Sequence, residues 1–303
     1  MLLVGALVAA LLHSADAWRP LLHLSPANLT ALAISSLAAL AVQARQFAVL
    51  ASIFGLRLSG REALGLTCIN NMMSYSVPVR GGTLVRAAYL QQVHGFALGR
   101  YAALTVSSHV VILGLVALAG SVLAWTVPAR RDLAGSLALG FVAAPVLLVG
   151  ALWTFAALAA LGRRVPRLAG HAQAFRDGLA SWRQHPGLAR RFALVSLVVF
   201  VAHGLRLWVA FGAVAVTVTL SQVLVVQAAV AVASVLSFTP ANLGTKEAVI
   251  TLLAGLLGLE PSLALVAALI DRGAAVLESL LGGAAFSRTL LRDVRRAPSA
   301  ARR

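Results

Sequence analysis

Two windows of this chain, Tyr101–Trp125 and Leu133–Leu161, each run for more than 20 residues without a charged side chain. A helix of that length crosses about 30 Å of hydrocarbon. With 60% hydrophobic and only 11% charged residues among 303, and a mean hydropathy of +0.91, a soluble globule is excluded. The expected class is an all-α polytopic integral membrane protein. Within a bilayer only helices and closed barrels satisfy their own backbone groups, so any polar break in the apolar pattern needs an explanation.

Two such breaks stand out. Leu236-Ser-Phe-Thr-Pro-Ala-Asn-Leu-Gly-Thr-Lys-Glu247 interrupts apolar sequence on both sides, and Pro78-Val-Arg-Gly-Gly-Thr83 does the same between Ala63–Val77 and Leu84–Phe96. Each reads as a pair of half-helices meeting at a re-entrant break, although an external loop between short helices fits the pattern too. A shift of 162 residues superposes Pro78 on Pro240, Gly82 on Gly244 and Thr83 on Thr245, and carries Leu90, Ala102, Leu115 and Gly120 onto identical residues without a gap. An internal repeat is expected.

The remaining segments fall into order around these breaks. Met1–Leu12 is short and apolar, lacks a basic region before it, and reads as a short first helix rather than a cleaved leader. Asn28–Leu50, Phe192–Val218 and Ser262–Phe286 are further crossings. Within Gly162–Arg191, Leu168, Ala172, Phe175, Leu179 and Trp182 recur at helical spacing among arginines, the pattern of a helix lying at the membrane surface. The domain plan is one transmembrane domain over 1–303: a first repeat at about 28–126, a cytosolic interfacial helix at about 163–190, a second repeat at about 192–287, and a basic cytosolic tail, 288–303.

Charge placement orients the chain. The net charge is +16, and 24 of the 25 cations are arginine. If both breaks are re-entrant, one side holds 18 cations: five around the first hairpin, seven in Gly162–Arg191 and six in the tail. The other side holds four, Arg19, Arg130, Arg131 and Lys246. The richer side is expected to be cytoplasmic. That places both termini inside a cell inner (plasma) membrane, with about six crossings and the two hairpins entering from opposite faces as an inverted repeat. The basic residues lie between apolar segments and are not interleaved with aromatics on a soluble domain, so no nucleic-acid partner is expected.

The breaks supply the candidate binding residues. At the first, Gly81, Gly82 and Thr83 open a helix whose free N–H groups and dipole suit an anion such as phosphate, flanked by Arg80 and Arg86. Inner-leaflet lipid head groups would attract the same arginines in any case. At the second, Pro240 and Asn242 precede Gly244, Thr245 is the expected N-cap, and Lys246 and Glu247 fill the first turn. A cation and an anion there could hold a zwitterionic or aminoacylated head group, or Glu247 could simply complement the helix dipole. Asp271 and Arg272 are charges deep in an apolar helix, where a partner facing the bundle interior is the rule. Arg272 is expected to pair with Glu247 or Asp271, for transport or as a structural ion pair. His109 sits mid-helix and His203 and Arg206 share one helix face; each reads as a satisfied bundle residue rather than a ligand. Cys68 has no second cysteine to bridge. No metal-ligand spacing, nucleophile motif or phosphate-binding loop is present, so neither cofactor nor enzymatic activity is expected.

These residues carry a resemblance. Asn71 through Leu90, with Pro78-Val-Arg-Gly-Gly-Thr-Leu-Val-Arg86, resembles the first signature of the lysylphosphatidylglycerol synthase transmembrane family, and Thr239-Pro-Ala-Asn-Leu-Gly-Thr-Lys-Glu247 with Gly258 and Arg272 resembles the second. Arg45 matches the arginine before the short turn in that family. The resemblance implies a flippase-like domain that moves phospholipid, anionic or aminoacylated, between leaflets. It implies no lipid aminoacylation, because the synthase domain of the fused members is not among these residues. Thr83 stands where the family usually has an acidic residue, and Ser107-Ser108-His109 where it tends to carry Arg and Asp. The leading expectation is a lipid translocase, acting on a phospholipid or polyprenyl-type head group without ATP. The alternatives are an accessory protein that binds lipid for a separately encoded lipid-modifying enzyme, and a small-anion transporter.

Overall fold

A computed structural model describes residues 24–77, 81–127, 135–143, 146, 166–236 and 242–296. Among them there is no strand, and helices account for nearly everything. α1 (Pro26–Ile53) begins with Pro at its first position and with Ser25 Oγ accepting the Asn28 N–H at 3.1 Å. α2 (Gly60–Ser76) is capped by Ser59, whose hydroxyl accepts from Glu62 N at 3.2 Å. α3 (Gly81–His94) follows, then α4 (Leu98–Ala124). α5 is Pro166–Gln184 and α6 is Pro186–Ala213. α7 (Leu220–Leu236) starts with a reciprocal box: Thr219 Oγ1 accepts from Gln222 N at 3.3 Å, and Gln222 Oε1 accepts from Thr219 N at 2.9 Å. α8 is Thr245–Leu256, and α9 is Pro261–Arg296.

Among the described helices α1, α4 and α6 are long and apolar enough to span a membrane. About two thirds of the expected crossing over Leu133–Leu161 lies outside the described residues, which show a helical stretch at 135–143. A helix does form within Gly162–Arg191, as α5, and part of its apolar stripe packs on the protein itself. Phe175 and Trp182 join a buried cluster, with the Trp182 ring 5.4 Å from that of Phe192 and edge-on to Phe54.

The element plan occurs twice. α1–α4 have 28, 17, 14 and 27 residues, and α6–α9 have 28, 17, 12 and 36. Both first helices end in the same turn: a left-handed residue, Gly55 (φ 80°) or Ala215 (φ 58°), followed by an N–H that returns five residues, Leu56 to Ala51 O at 2.9 Å and Val216 to Phe211 O at 3.1 Å. In each half the two short helices pack against each other as a hairpin, α2 on α3 and α7 on α8.

The chain divides into two compact units, and the boundary falls inside α1, α4, α6 and α9. The first unit contains the α7–α8 hairpin, with a core built on Leu207, Phe211, Val226, Ile250, Leu253 and Ala267. The second contains the α2–α3 hairpin and α5, with a core of Phe47, Phe54, Leu66, Leu90, Leu104 and Phe192.

Candidate functional site

In the first unit the second break is organised by Glu247. The chain reaches α8 through Asn242 (φ 58°) and Gly244 (φ 81°), both left-handed. Asn tolerates that region and Gly occupies it without penalty. Gly244 is therefore the N-cap and Thr245 the first helical residue, which corrects the expectation that Thr245 caps the helix. The third helical residue, Glu247, folds back so that its Oε2 accepts from Gly244 N at 2.9 Å, while its Oε1 accepts from Arg272 Nε. Arg272 also donates from Nη2 to the Asn242 carbonyl at 3.2 Å. One carboxylate thus satisfies the helix start and neutralises a cation from α9.

Asp271 makes the companion pair. It is 1% exposed; its Oδ1 accepts from Arg206 Nε at 2.7 Å, and its Oδ2 accepts from Lys246 Nζ. Arg206 Nη1 also lies 3.7 Å from Glu278 Oε2. Three cations (Arg206, Lys246, Arg272) and three carboxylates (Glu247, Asp271, Glu278) therefore form a neutral buried network on α6, α8 and α9. Lys246 has the most exposed side chain of the six, at 17%. A neutral set with one member close to solvent can exchange an internal partner for a ligand group without leaving a bare buried charge.

Asn242, Gly244, Lys246, Glu247, Asp271 and Arg272 lie together, with Arg272 paired to Glu247. Thr245 sits beside them at the helix start. Pro240 lies outside the described residues. Arg206, read from sequence as a satisfied bundle residue, also belongs to this cluster. Its signal was present, a guanidinium inside an apolar helix, but its partner Asp271 is 65 positions away. At i, i+3 the visible neighbour was His203.

The first break, in the second unit, has a different character. Gly81 and Gly82 are buried at the start of α3, against the end of α2. A Cβ on Gly82 would collide with the Asn70 carbonyl and the Ser74 hydroxyl, so only glycine allows this approach. Thr83 is half-buried, and Arg80 lies outside the described residues. The Arg86 guanidinium stacks on the Phe47 ring, with Cζ 3.9 Å from its centre, and donates from Nη2 to Leu66 O at 3.4 Å. Its Nε has no hydrogen-bond partner, and no carboxylate pairs with it, among the described residues. A stacked guanidinium keeps its donors in one plane, a geometry that matches phosphate or carboxylate. Polar side chains continue nearby: Asn71 Nδ2 donates to Gln43 Oε1 and Gln46 Nε2 to Ser196 Oγ, each at 2.8 Å. Ser107 is buried and accepts from Trp182 Nε1 at 2.8 Å, tying α4 to α5.

Comparison with known families gives a match over most of the chain. The model described as the lysylphosphatidylglycerol synthase TM region matches residues 1–283. No curated protein and no solved structure matches the chain.

Proposed function

The chain belongs to the lysylphosphatidylglycerol synthase transmembrane family, and on that premise we propose that it moves phospholipid or polyprenyl-type head groups between leaflets without ATP hydrolysis and without a covalent step. The observation that carries this reading is the neutral six-residue charge network at the start of half-helix α8. Apolar residues of similar volume would hold these helices together as well or better. Ionisable groups inside apolar helices mark the paths of polar cargo.

Arg86 is the entry contact. Its guanidinium, with the N–H groups at Gly81 and Gly82, receives the lipid phosphate, and Arg80 adds a second cation. Lys246 and Glu247 are the exit contacts. There Lys246 leaves Asp271 for the lipid phosphate, while a head-group cation, where the lipid has one, takes its place. Lipids that are anionic or aminoacylated fit both contacts.

The twice-used element plan, with the same turn before each hairpin, supports a repeat, and the charge count supports its inversion. Both termini are then cytoplasmic in the plasma membrane of the cell. Arg86 also favours a second reading, transport of a small soluble anion, because a guanidinium with no carboxylate partner among the described residues serves either cargo.

The test is head-group translocation in liposomes, read with fluorescent phospholipids and an impermeant quencher, beside uptake of labelled inorganic phosphate. Quenching of inner-leaflet lipid that Arg86→Ala, Glu247→Gln and Arg272→Ala each abolish is the expected result. Phosphate uptake without lipid movement selects the anion transporter. Rates equal to empty liposomes across a lipid panel sink translocation and leave a lipid-binding accessory to a separately encoded enzyme.

A further inference from the structure

A polar cleft of about 530 Å³ opens in the α2–α3 unit. That volume holds a lipid head group or a small metabolite. It is lined at the start of α2, the end of α3 and the last turns of α9, and none of its residues belongs to the two breaks.

Inside it Glu62 is held in place. Its Oε1 accepts from the Tyr89 hydroxyl at 3.1 Å and meets His94 Nε2 at 2.6 Å. Burial, and the Glu62 carboxylate beside it, raise the Tyr89 phenol above its ordinary range, so it remains a donor to Glu62. Glu62 Oε2 accepts no hydrogen bond, and the Asp293 carboxylate has neither hydrogen bond nor ion pair, among the described residues. Two carboxylates with open lone pairs in one cleft call for a cation that carries N–H donors. Two guanidinium groups also line it. Arg61 donates from Nη2 to Thr289 at 3.5 Å, and Arg296 is exposed with no partner among the described residues. They call for an anion next to that cation.

We infer that this cleft binds a phospholipid head group with a primary ammonium a few bonds from its phosphate, the ammonium on Glu62 and Asp293 and the phosphate on Arg61 and Arg296. A quaternary ammonium offers no N–H, and a glycerol head group offers no cation to the two carboxylates. Free phosphate brings the wrong charge to them. Arg61 flanks the first hairpin and Arg296 lies in the tail, both of which the charge count puts in the cytoplasm, where inner-leaflet head groups lie. The inference rests on the reading of this chain as a lipid-handling protein, but it concerns a separate site.

The experiment is native mass spectrometry of the full-length protein in detergent, with equimolar phosphatidylethanolamine, phosphatidylcholine and phosphatidylglycerol of identical chains. The wild type is expected to retain the ethanolamine lipid at least fivefold over the other two. Asp293→Asn, which removes no hydrogen bond or ion pair among the described residues and so leaves the fold intact, should reduce that excess to less than twofold. Arg86→Ala should keep it whole, even where translocation is lost. An unchanged excess in Asp293→Asn, its loss in Arg86→Ala alone, or a preference for the glycerol lipid overturns the assignment. Equal competition by soluble glycerophosphoethanolamine overturns its membrane form.

Discussion

Replacing Asp271 by Asn removes the charge that Arg206 and Lys246 share. Arg206 is 4% exposed and Asp271 is 1% exposed, so neither can recover the loss from water. Lys246, at 17%, can turn outward. Arg206 still has Glu278 at 3.7 Å, beyond good hydrogen-bonding distance. Stranding one partner of a buried pair costs about 3–5 kcal/mol. Because Glu278 remains within reach, the lower end applies, about 3 kcal/mol, or roughly 150-fold in the unfolding equilibrium. The assay is denaturant-induced unfolding in detergent micelles of wild type, Asp271→Asn, Arg206→Met and the double variant. The double variant should be less destabilised than the sum of the singles by at least about 1.5 kcal/mol, because contacting groups are not additive. Single costs below about 1 kcal/mol that simply add would refute the buried pair.

Three further outcomes follow from the two helix starts. Glu247→Gln keeps an oxygen for Gly244 N–H but loses the ion pair with Arg272, whereas Glu247→Ala loses both; micellar unfolding should therefore show the Ala variant lower by about 1 kcal/mol, the usual worth of a cap. Gly82→Ala drives a methyl into the Asn70 carbonyl and should cost about 1–3 kcal/mol through overpacking, while Gly244→Ala meets nothing within 4 Å and should cost about 1 kcal/mol through its φ of 81° alone, both read by the same unfolding. Single cysteines at Arg86 and Asn242, in a Cys68→Ala background, should react with impermeant thiol reagents from opposite sides of the membrane; labelling from the same side rules out the inverted arrangement.

The hydrophobic pattern by itself determined the class of this protein, because bilayer hydrocarbon leaves an apolar chain few structures other than helices. It also placed the two breaks. Pro and Gly act on the backbone within a residue or two, so their consequences are legible locally. Both hairpins formed where those residues interrupt the apolar runs, and Arg272 found one of its two expected partners. Helix ends were less legible: Gly244 rather than Thr245 caps α8, a choice set by the left-handed turn before it and not by side-chain preference. Tertiary structure alone decided which charges meet. Asp271 takes Arg206 from α6 and Lys246 from α8, and no local spacing announces a pair 65 residues apart. It also left Arg86 stacked on Phe47 with no carboxylate partner among the described residues, while it paired every cation of the α8 network. Charge balance at depth depends on which helices pack together, and only the folded chain brings those helices into contact.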